Sequence, residues 1–149
     1  MSLDERGYLF FAAYGTMVPR VNAAPSAVYL KGMETDRGQA LEGGQSYRLR
    51  VPANVPASQF WAVDAYDAET SGFMREAKVV GLDSFSKGLK SNEDGSVDLY
   101  FAPRPPPGQE SNWISTQPGR RFFLLFRLYG PQQAILDRSW LLNDIVRID

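Results

Sequence analysis

The sequence predicts a mostly β fold, an antiparallel jelly-roll-like β-sandwich, with helix only near the two ends of the chain. Short segments alternate between apolar and polar residues with a period of two, as strands with one buried face do. Turn residues separate these segments. A run near the C-terminal end, Phe122 to Phe126, is apolar on both faces and predicts a central strand covered on both sides.

Residues 1–26 are predicted to form an N-terminal helix and a connecting loop. The helix is expected over Leu3 to Tyr14, because Ser2 and Glu5 have the spacing of a capping box. From Tyr8 to Tyr14 it is apolar nearly all round, more than one face of a surface helix needs. Two interpretations stay open: an interface with a partner domain or a second copy of the chain, or a helix tucked under the domain's own sheet.

Residues 27–149 are predicted to form the sandwich, so the chain is expected to be a single domain. The predicted strands are Ala27 to Met33, Tyr47 to Val51, Gln59 to Tyr66, Met74 to Leu82, Ser96 to Phe101, Arg121 to Tyr129 and a closing strand that ends at Ile148. A short helix is expected before the closing strand. The loop from Ala102 to Arg120 is too long for a simple hairpin, which favours a crossover between two sheets or a functional loop.

The composition removes several classes of function. The chain has no Cys and no His, so a Ser-His-Asp triad, a Cys nucleophile, a His general base and the usual zinc sites are excluded. We therefore predict no cofactor and lean against an enzyme. The segment from Asn92 to Gly95 offers oxygen ligands but lacks the alternating acidic ladder of a calcium loop, so no metal site is predicted either.

Charge and hydropathy restrict the partners. The net charge of −1 provides no basic field for a phosphate backbone, so nucleic-acid binding is not expected. No run approaches the roughly 18 apolar residues of a membrane span, and we expect no signal peptide at the start of the chain. A chain without thiols suits the cytoplasm as well as the periplasm or cell envelope, which leaves the compartment open.

Asp64 and Asp67 are weak candidates for a catalytic pair. Two carboxylic acids about 5–9.5 Å apart can cleave a glycosidic bond. On a strand, however, residues i and i+3 point to opposite faces, so convergence requires a bend near Ala65. The alternative is that Asp67 caps the following turn and Asp64 pairs with an arginine.

Arg127 interrupts the apolar strand and is the first candidate for ligand binding. Its guanidinium could hold a carboxylate or phosphate of a ligand in a bidentate grip. It could instead neutralise Asp64, Asp67 or Asp98 on a neighbouring strand, because an unpaired charge in an apolar strand costs several kcal/mol.

Asn112 and Trp113 are the other ligand-binding candidates, in the middle of the long loop. An exposed tryptophan beside an amide is a platform that can stack against a sugar ring. The alternative is a tryptophan that pins its loop to the core.

Ordered motifs extend from Tyr29 to Ile148. They are Asp36-x-Gly38-x-x-Leu41-x-Gly43, Tyr47-x-Leu49, Phe60-Trp61-x-Val63-x-x-Tyr66-Asp67, Asp94-Gly95-Ser96, Pro107-Gly108, Asn112-Trp113, Arg127-Leu128-Tyr129-x-Pro131 and Ser139-Trp140. In this order and spacing they resemble the bacterial domain of unknown function 1214. That domain usually forms the C-terminal half of proteins whose N-terminal half is the domain of unknown function 1254.

The resemblance implies a jelly-roll β-sandwich, often in envelope or exported proteins, and no established activity. Its likeness to glycan-processing sandwiches is an analogy of fold, which does not carry function. The chain departs from the family pattern in two places: the N-terminal partner domain is absent, and Asp64 stands where an uncharged residue is expected. The opening Met1-Ser2-Leu3 is typical of a vector-derived start, so we expect a fragment of something longer.

Two functions from different classes follow. The first is a non-catalytic accessory or interaction module of a bacterial protein, which packs on an N-terminal partner domain or forms a homo-oligomer through Leu9, Phe10 and Phe11 of the N-terminal helix. The second is a carbohydrate-binding or carbohydrate-processing domain that uses Asp64, Asp67 and Trp113 with support from Arg127.

Overall fold

The structure, a computed structural model, describes residues 26–148. The strands are β1 (Ala27–Gly32), β2 (Leu41–Glu42), β3 (Ser46–Val51), β4 (Ala57–Asp67), β5 (Gly81–Asp83), β6 (Val97–Ala102), β7 (Trp113–Ser115), β8 (Arg121–Pro131) and β9 (Ile145–Ile148). The short helix expected near the C-terminus is α1 (Gln133–Leu136), and a 3-10 turn spans Glu110–Asn112. The helix predicted over Leu3 to Tyr14 lies outside the described residues.

The strands form two sheets, which confirms the predicted mostly β fold. The first sheet has the order β1-β8-β4-β5, with β2 also paired to β8. The second sheet has the order β7-β6-β3-β9. The predicted antiparallel pairing is wrong for one pair of strands, because β7 runs parallel to β6. The loop after β6 is long enough to return to Tyr100 in the middle of that strand, and a parallel neighbour requires such a crossover.

Two predicted segments need further correction. Of the strand expected over Met74 to Leu82, only the end belongs to β5, which begins at Gly81. The loop expected over Ala102 to Arg120 contains β7. Hydrogen bonds connect the two segments: the Ser115 N–H donates to the Val79 carbonyl oxygen (2.9 Å), and the Val79 N–H donates to Ser115 Oγ (3.1 Å).

Strand β8 lies inside the first sheet, between β1 and β4. Its side chains alternate between the core and the outer face of the sheet. Phe122 and Phe126 are buried in the core, and Phe123 and Leu125 on the opposite face are buried as well. The prediction of a central strand is therefore confirmed, and its apolar side chains are buried on both faces.

The two sheets pack face to face around one apolar core. Phe122 of β8 contacts Tyr47 of β3, with ring centroids 5.7 Å apart, and Phe101 of β6, with centroids 6.3 Å apart. Trp61 of β4 stacks on Phe126 with centroids 5.6 Å apart. Each fully buried side chain of this size contributes about 1.5–3 kcal/mol of transfer free energy, and Phe122 makes aromatic contacts between the two sheets.

Within the part of the chain that the structure describes, no helix is long and apolar enough to cross a membrane.

Candidate functional site

An ion pair lies at the centre of the outer face of the first sheet. The Nη2 group of Arg127 on β8 donates a hydrogen bond to Oδ2 of Asp64 on β4. In the strand register Arg127 faces Ala62 and Asp64 faces Leu125, so the two charged residues are diagonal neighbours on one face. Asp64 is 8% exposed, and the Arg127 side chain is 26% exposed. Of the three partners left open for Arg127, the structure selects Asp64.

Gly81 on β5 provides the space for this carboxylate. Gly81 is the register partner of Asp64. A Cβ atom at position 81 would overlap Asp64 Oδ1 and would lie 2.7 Å from the carbonyl oxygen of Val63, closer than real Cβ contacts allow. The sequence analysis missed Gly81. A glycine inside a strand pattern often marks the close approach of another group, and that signal could have identified it.

Arg127 keeps hydrogen-bonding capacity beyond its contact with Asp64. Its Nε atom is buried and has no hydrogen-bond partner among residues 26–148. A guanidinium carries five N–H donors, so the group can bind a further carbonyl or carboxylate oxygen while it pairs with Asp64.

Aromatic residues surround the ion pair. On one side Phe60 stacks on Tyr129 with ring centroids 4.3 Å apart, and Phe85 lies 5.9 Å from Phe60. Tyr29 meets Tyr129 edge to face at 6.3 Å. Phe85 is 73% exposed, which is high for an aromatic side chain of this size.

A second aromatic group lies on the other side of the ion pair. Tyr66 stacks on Phe123 at 5.4 Å and on Phe73 at 4.8 Å. Phe73 is 47% exposed. We call the whole surface the aromatic face; it consists of the Asp64–Arg127 pair with Tyr29, Phe60, Tyr66, Phe73, Phe85, Phe123 and Tyr129.

Two tyrosines of the aromatic face are held in the neutral form. Burial and a hydrogen bond with Tyr129 raise the pKa of Tyr29, against a lowering by the nearby Arg127 charge. Burial, with Tyr129 and Tyr29 nearby, raises the pKa of Tyr66. Tyrosine hydroxyl groups are protonated at neutral pH even at their ordinary pKa of about 10, so both can donate hydrogen bonds as well as accept them.

Asp67 lies at the end of β4 and points away from the aromatic face. It is 3% exposed and faces Phe122 in the register. Arg120 Nε donates to its Oδ2 (2.6 Å), and the N–H groups of Glu69 and Thr70 donate to its Oδ1 (both 2.9 Å). Asp67 thus caps the turn after β4 and neutralises Arg120, a partner that the sequence analysis did not foresee.

The surroundings of Asp67 favour its ionised form. Burial alone would raise the pKa of this carboxyl group. The hydrogen bond from Arg120 and those from the N–H groups of Thr70 and Glu69 outweigh that effect and lower the pKa below its ordinary value. A carboxylate held in this way is a poor general acid near neutral pH.

Asn112 precedes β7 in the second sheet and is 2% exposed. Its Oδ1 accepts a hydrogen bond from the Lys90 N–H (2.8 Å) and one from Ser111 Oγ (3.2 Å). Its Nδ2 donates to the carbonyl oxygens of Lys90 (2.8 Å) and Asp98 (2.9 Å). The amide therefore ties the loop at Lys90 to strand β6.

Trp113 opens β7 and is 8% exposed. Its indole N–H donates to the carbonyl oxygen of Ala102 (2.8 Å), at the end of β6. The structure therefore brings Asp64 and Arg127 together on the first sheet, and places Trp113 in the second sheet and Asn112 in the 3-10 turn before it.

Metal binding gains no support from the described residues. Between residues 26 and 148, no three acidic, histidine or cysteine side chains are grouped closely enough to hold a metal ion.

Comparison with known proteins identifies a family and similar solved structures. A family model described as "Protein of unknown function (DUF1214)" matches residues 26–133. The crystal structure of the VPA0106 protein from Vibrio parahaemolyticus superposes with a TM-score of 0.74 and 22% identity, over 93% of this chain and 35% of that one. The crystal structure of an uncharacterised protein from Burkholderia cenocepacia superposes with a TM-score of 0.52 and 23% identity, over 85% of this chain and 31% of that one.

At these identities the similarity extends to the fold alone. The chain spans about a third of the length of either structure. No curated protein matches it significantly.

Proposed function

This chain belongs to the DUF1214 family of proteins of unknown function, and from that premise we propose that it is a non-catalytic accessory and interaction module of a bacterial protein. In this proposal residues 27–149 form one jelly-roll domain, which residues 1–26 precede. The domain binds another folded domain through the aromatic face. In the isolated chain a second copy takes the place of that partner.

The composition and exposure of the aromatic face carry this proposal. Tyrosine, phenylalanine and arginine are enriched at protein–protein interfaces, and tyrosine and arginine dominate their binding energy. Phe73 and Phe85 leave large apolar areas in water at 47% and 73% exposure. The Arg127 side chain is 26% exposed at the centre of the same surface. A partner that covers this face would bury the two phenylalanines and contact the exposed part of this guanidinium.

The size of the similar structures supports a modular role. The chain covers 35% of one of them and 31% of the other, so both contain much more polypeptide than this fold. A sandwich within a longer protein meets neighbouring domains, and contacts between domains resemble transient protein–protein interfaces. We propose a partner domain of that kind as the natural occupant of the aromatic face.

The pairing of the buried aspartates supports a non-catalytic role. Asp64 pairs with Arg127, Asp67 with Arg120, and Asp98 with Arg50, whose Nε and Nη2 groups donate at 2.8 and 3.0 Å. A hydrogen bond from Arg50 lowers the pKa of Asp98, and a hydrogen bond from Arg120 helps to lower the pKa of Asp67. General acid catalysis near neutral pH requires the opposite shift.

The carbohydrate alternative has less support. It requires Asp64, Asp67 and Trp113 to line one cleft, with Trp113 exposed beside it. Asp64 and Asp67 point to opposite faces of β4, and Trp113 is 8% exposed in the second sheet. We therefore take the interaction module forward as the function of this chain.

Size-exclusion chromatography with light scattering tests the proposal. We expect the chain to self-associate, and Phe73→Ser with Phe85→Ser to weaken that association. A parallel variant with serine at Leu9, Phe10 and Phe11 tests the N-terminal segment as the interface. Association that is lost only in this second variant would exclude the aromatic face as the contact surface.

A further inference from the structure

A cleft opens at the side of the sandwich, between the end of β1 and the segment from Leu141 to Asp144. Its volume is about 630 Å³. The floor consists of core side chains from both sheets, Leu49 from the second and Leu124 and Phe126 from the first. Leu30 lines the cleft as well. These three floor side chains are 1–3% exposed, so the cleft is a surface depression that ends on the closed core.

The topology of the sandwich accounts for this opening. Strand β1 is an edge of the first sheet and β9 is an edge of the second. One end is closed where Thr35 pairs with Ile145 and the Asp36 N–H donates to the Ile145 carbonyl oxygen (2.9 Å). Gly32 allows Ile145 to pack closely against β1, because a Cβ atom at position 32 would lie 2.8 Å from Ile145 Cδ1.

Two exposed apolar side chains stand at the mouth. Met33 is 54% exposed and Leu141 is 72% exposed, and both line the cleft. They provide most of the accessible apolar surface of the cleft, above a floor of buried core side chains. Ligand pockets have volumes of about 300–1,000 Å³ and are mainly apolar with a few polar groups, and this cleft meets both criteria.

The charge at the mouth is negative. Glu34 and Asp144 line the cleft and form no salt bridge with any residue from 26 to 148. Lys31 lines the cleft as well, with its ammonium group 4.3 Å from the centroid of the Phe123 ring, on the aromatic face, so two carboxylates stand against one cation. A positively charged group at the mouth would therefore be attracted, whereas a carboxylate would be repelled.

We propose that this cleft binds a small amphiphile with an unbranched alkyl body and a cationic amine head. The alkyl body lies against Met33 and Leu141, above the buried floor, and the amine lies at the mouth beside Glu34 and Asp144. This site is separate from the aromatic face and does not depend on the proposed interaction function.

The probes are octylamine, octanol and octanoate, which share one alkyl length and differ in the charge of the head. Each is titrated below its micelle concentration into the isotopically labelled chain and followed by NMR. We expect saturable shifts for octylamine at Gly32, Met33 and Asn143, weaker binding of octanol and the weakest of octanoate. The double variant Glu34→Gln with Asp144→Asn, both at exposed positions, should weaken octylamine about fivefold and leave octanol unchanged.

Three results would overturn the proposal. Shifts that do not saturate, or that map to Phe73 and Phe85 instead of the cleft, would exclude the cleft as the site. Octanoate binding as tightly as octylamine would exclude the cationic head. Octylamine binding that the double variant leaves unchanged would exclude Glu34 and Asp144 as its partners.

Discussion

Gly81 and Asp64 are matched across the pair of strands β4 and β5, because the carboxylate occupies the space that a side chain at position 81 would need. This relationship explains how the first sheet accommodates a charged residue in a largely apolar strand. Oδ1 of the carboxylate lies against Gly81 of β5, and Oδ2 accepts a hydrogen bond from Arg127 on β8. Three strands of one sheet therefore share a single ion pair.

Gly81→Ala should destabilise the fold by about 2 kcal/mol, the range in which overpacking of a filled site falls. The added Cβ would overlap Asp64 Oδ1 and would meet the Val63 carbonyl oxygen at 2.7 Å, a backbone atom that cannot rotate away. Urea unfolding followed by tryptophan fluorescence measures the change. Gly44→Ala is the matched control, since its nearest atoms would be at 3.8 Å, an ordinary contact. Equal stability of the two variants would show that the carboxylate does not need the space at Gly81.

Arg127→Met should cost about 3 kcal/mol, because it leaves the Asp64 carboxylate buried at 8% exposure without its partner. Asp64→Asn combined with Arg127→Met should cost less than the sum of the single changes, with a coupling of about 1–3 kcal/mol. A double-mutant cycle in urea measures this term. Additive changes would mean that the ion pair does not stabilise the fold. They would favour the other interpretation of Arg127, as a ligand-binding residue.

Asn112→Ala should destabilise the domain by about 3 kcal/mol, because it leaves the Lys90 N–H and the Lys90 and Asp98 carbonyl groups without their partner. Asn112 is 2% exposed, so water cannot replace the amide easily. Asn143→Ala, at an exposed position, is the control and should change stability by less than about 0.5 kcal/mol. A stable Asn112→Ala variant would favour the earlier interpretation of Asn112 as a ligand-binding residue.

The stability of the domain should fall in acid as Asp67 and Asp98 become protonated. Both have a pKa that the fold lowers, so each stabilises the native state fully above its unfolded pKa of about 3.9. That contribution is lost as the pH falls through the folded pKa. Asp67→Asn should therefore be less stable than the parent at pH 7, and the difference should narrow steadily below about pH 4.

Urea midpoints measured across that pH range test the linkage. Asp36→Asn, at an exposed aspartate without a side-chain hydrogen bond to a described residue, is the control and should follow the parent throughout. A difference in urea midpoint between the parent and Asp67→Asn that stays constant down to pH 2 would contradict the conclusion that the ionised Asp67 carboxylate stabilises the fold.

The sequence predicted the strands with strong local patterns. The run from Phe122 to Phe126 had to be central because it is apolar on both faces, and β3 alternates as a strand with one buried face should. Strand β7 was missed because it has only three residues and its pairing with β6 depends on the loop between them. Short strands set by tertiary contacts carry little signal of their own.

The candidate site was less predictable than the fold. The apolar residues around Arg127 implied that its charge needs a partner. Asp64, Asp67 and Asp98 were all possible partners, because the choice between them depends on strand order. Arg120 was missed as the partner of Asp67 because the two residues are distant in the chain and meet only where β4 and β8 are adjacent. The aromatic face combines residues from β1, β4 and β8 with two loop phenylalanines, an arrangement that no local pattern encodes.

The central claim, that the aromatic face is an interaction surface, is tested most directly by the solution mass of the chain. Light scattering across a dilution series would compare the parent, Phe73→Ser with Phe85→Ser, and Leu136→Ser, a control at a side chain that is 43% exposed elsewhere. We predict an associating parent, a double variant that associates more weakly and a control that behaves like the parent. A parent that stays monomeric at every concentration, or a double variant that associates as strongly as the control, would contradict the account.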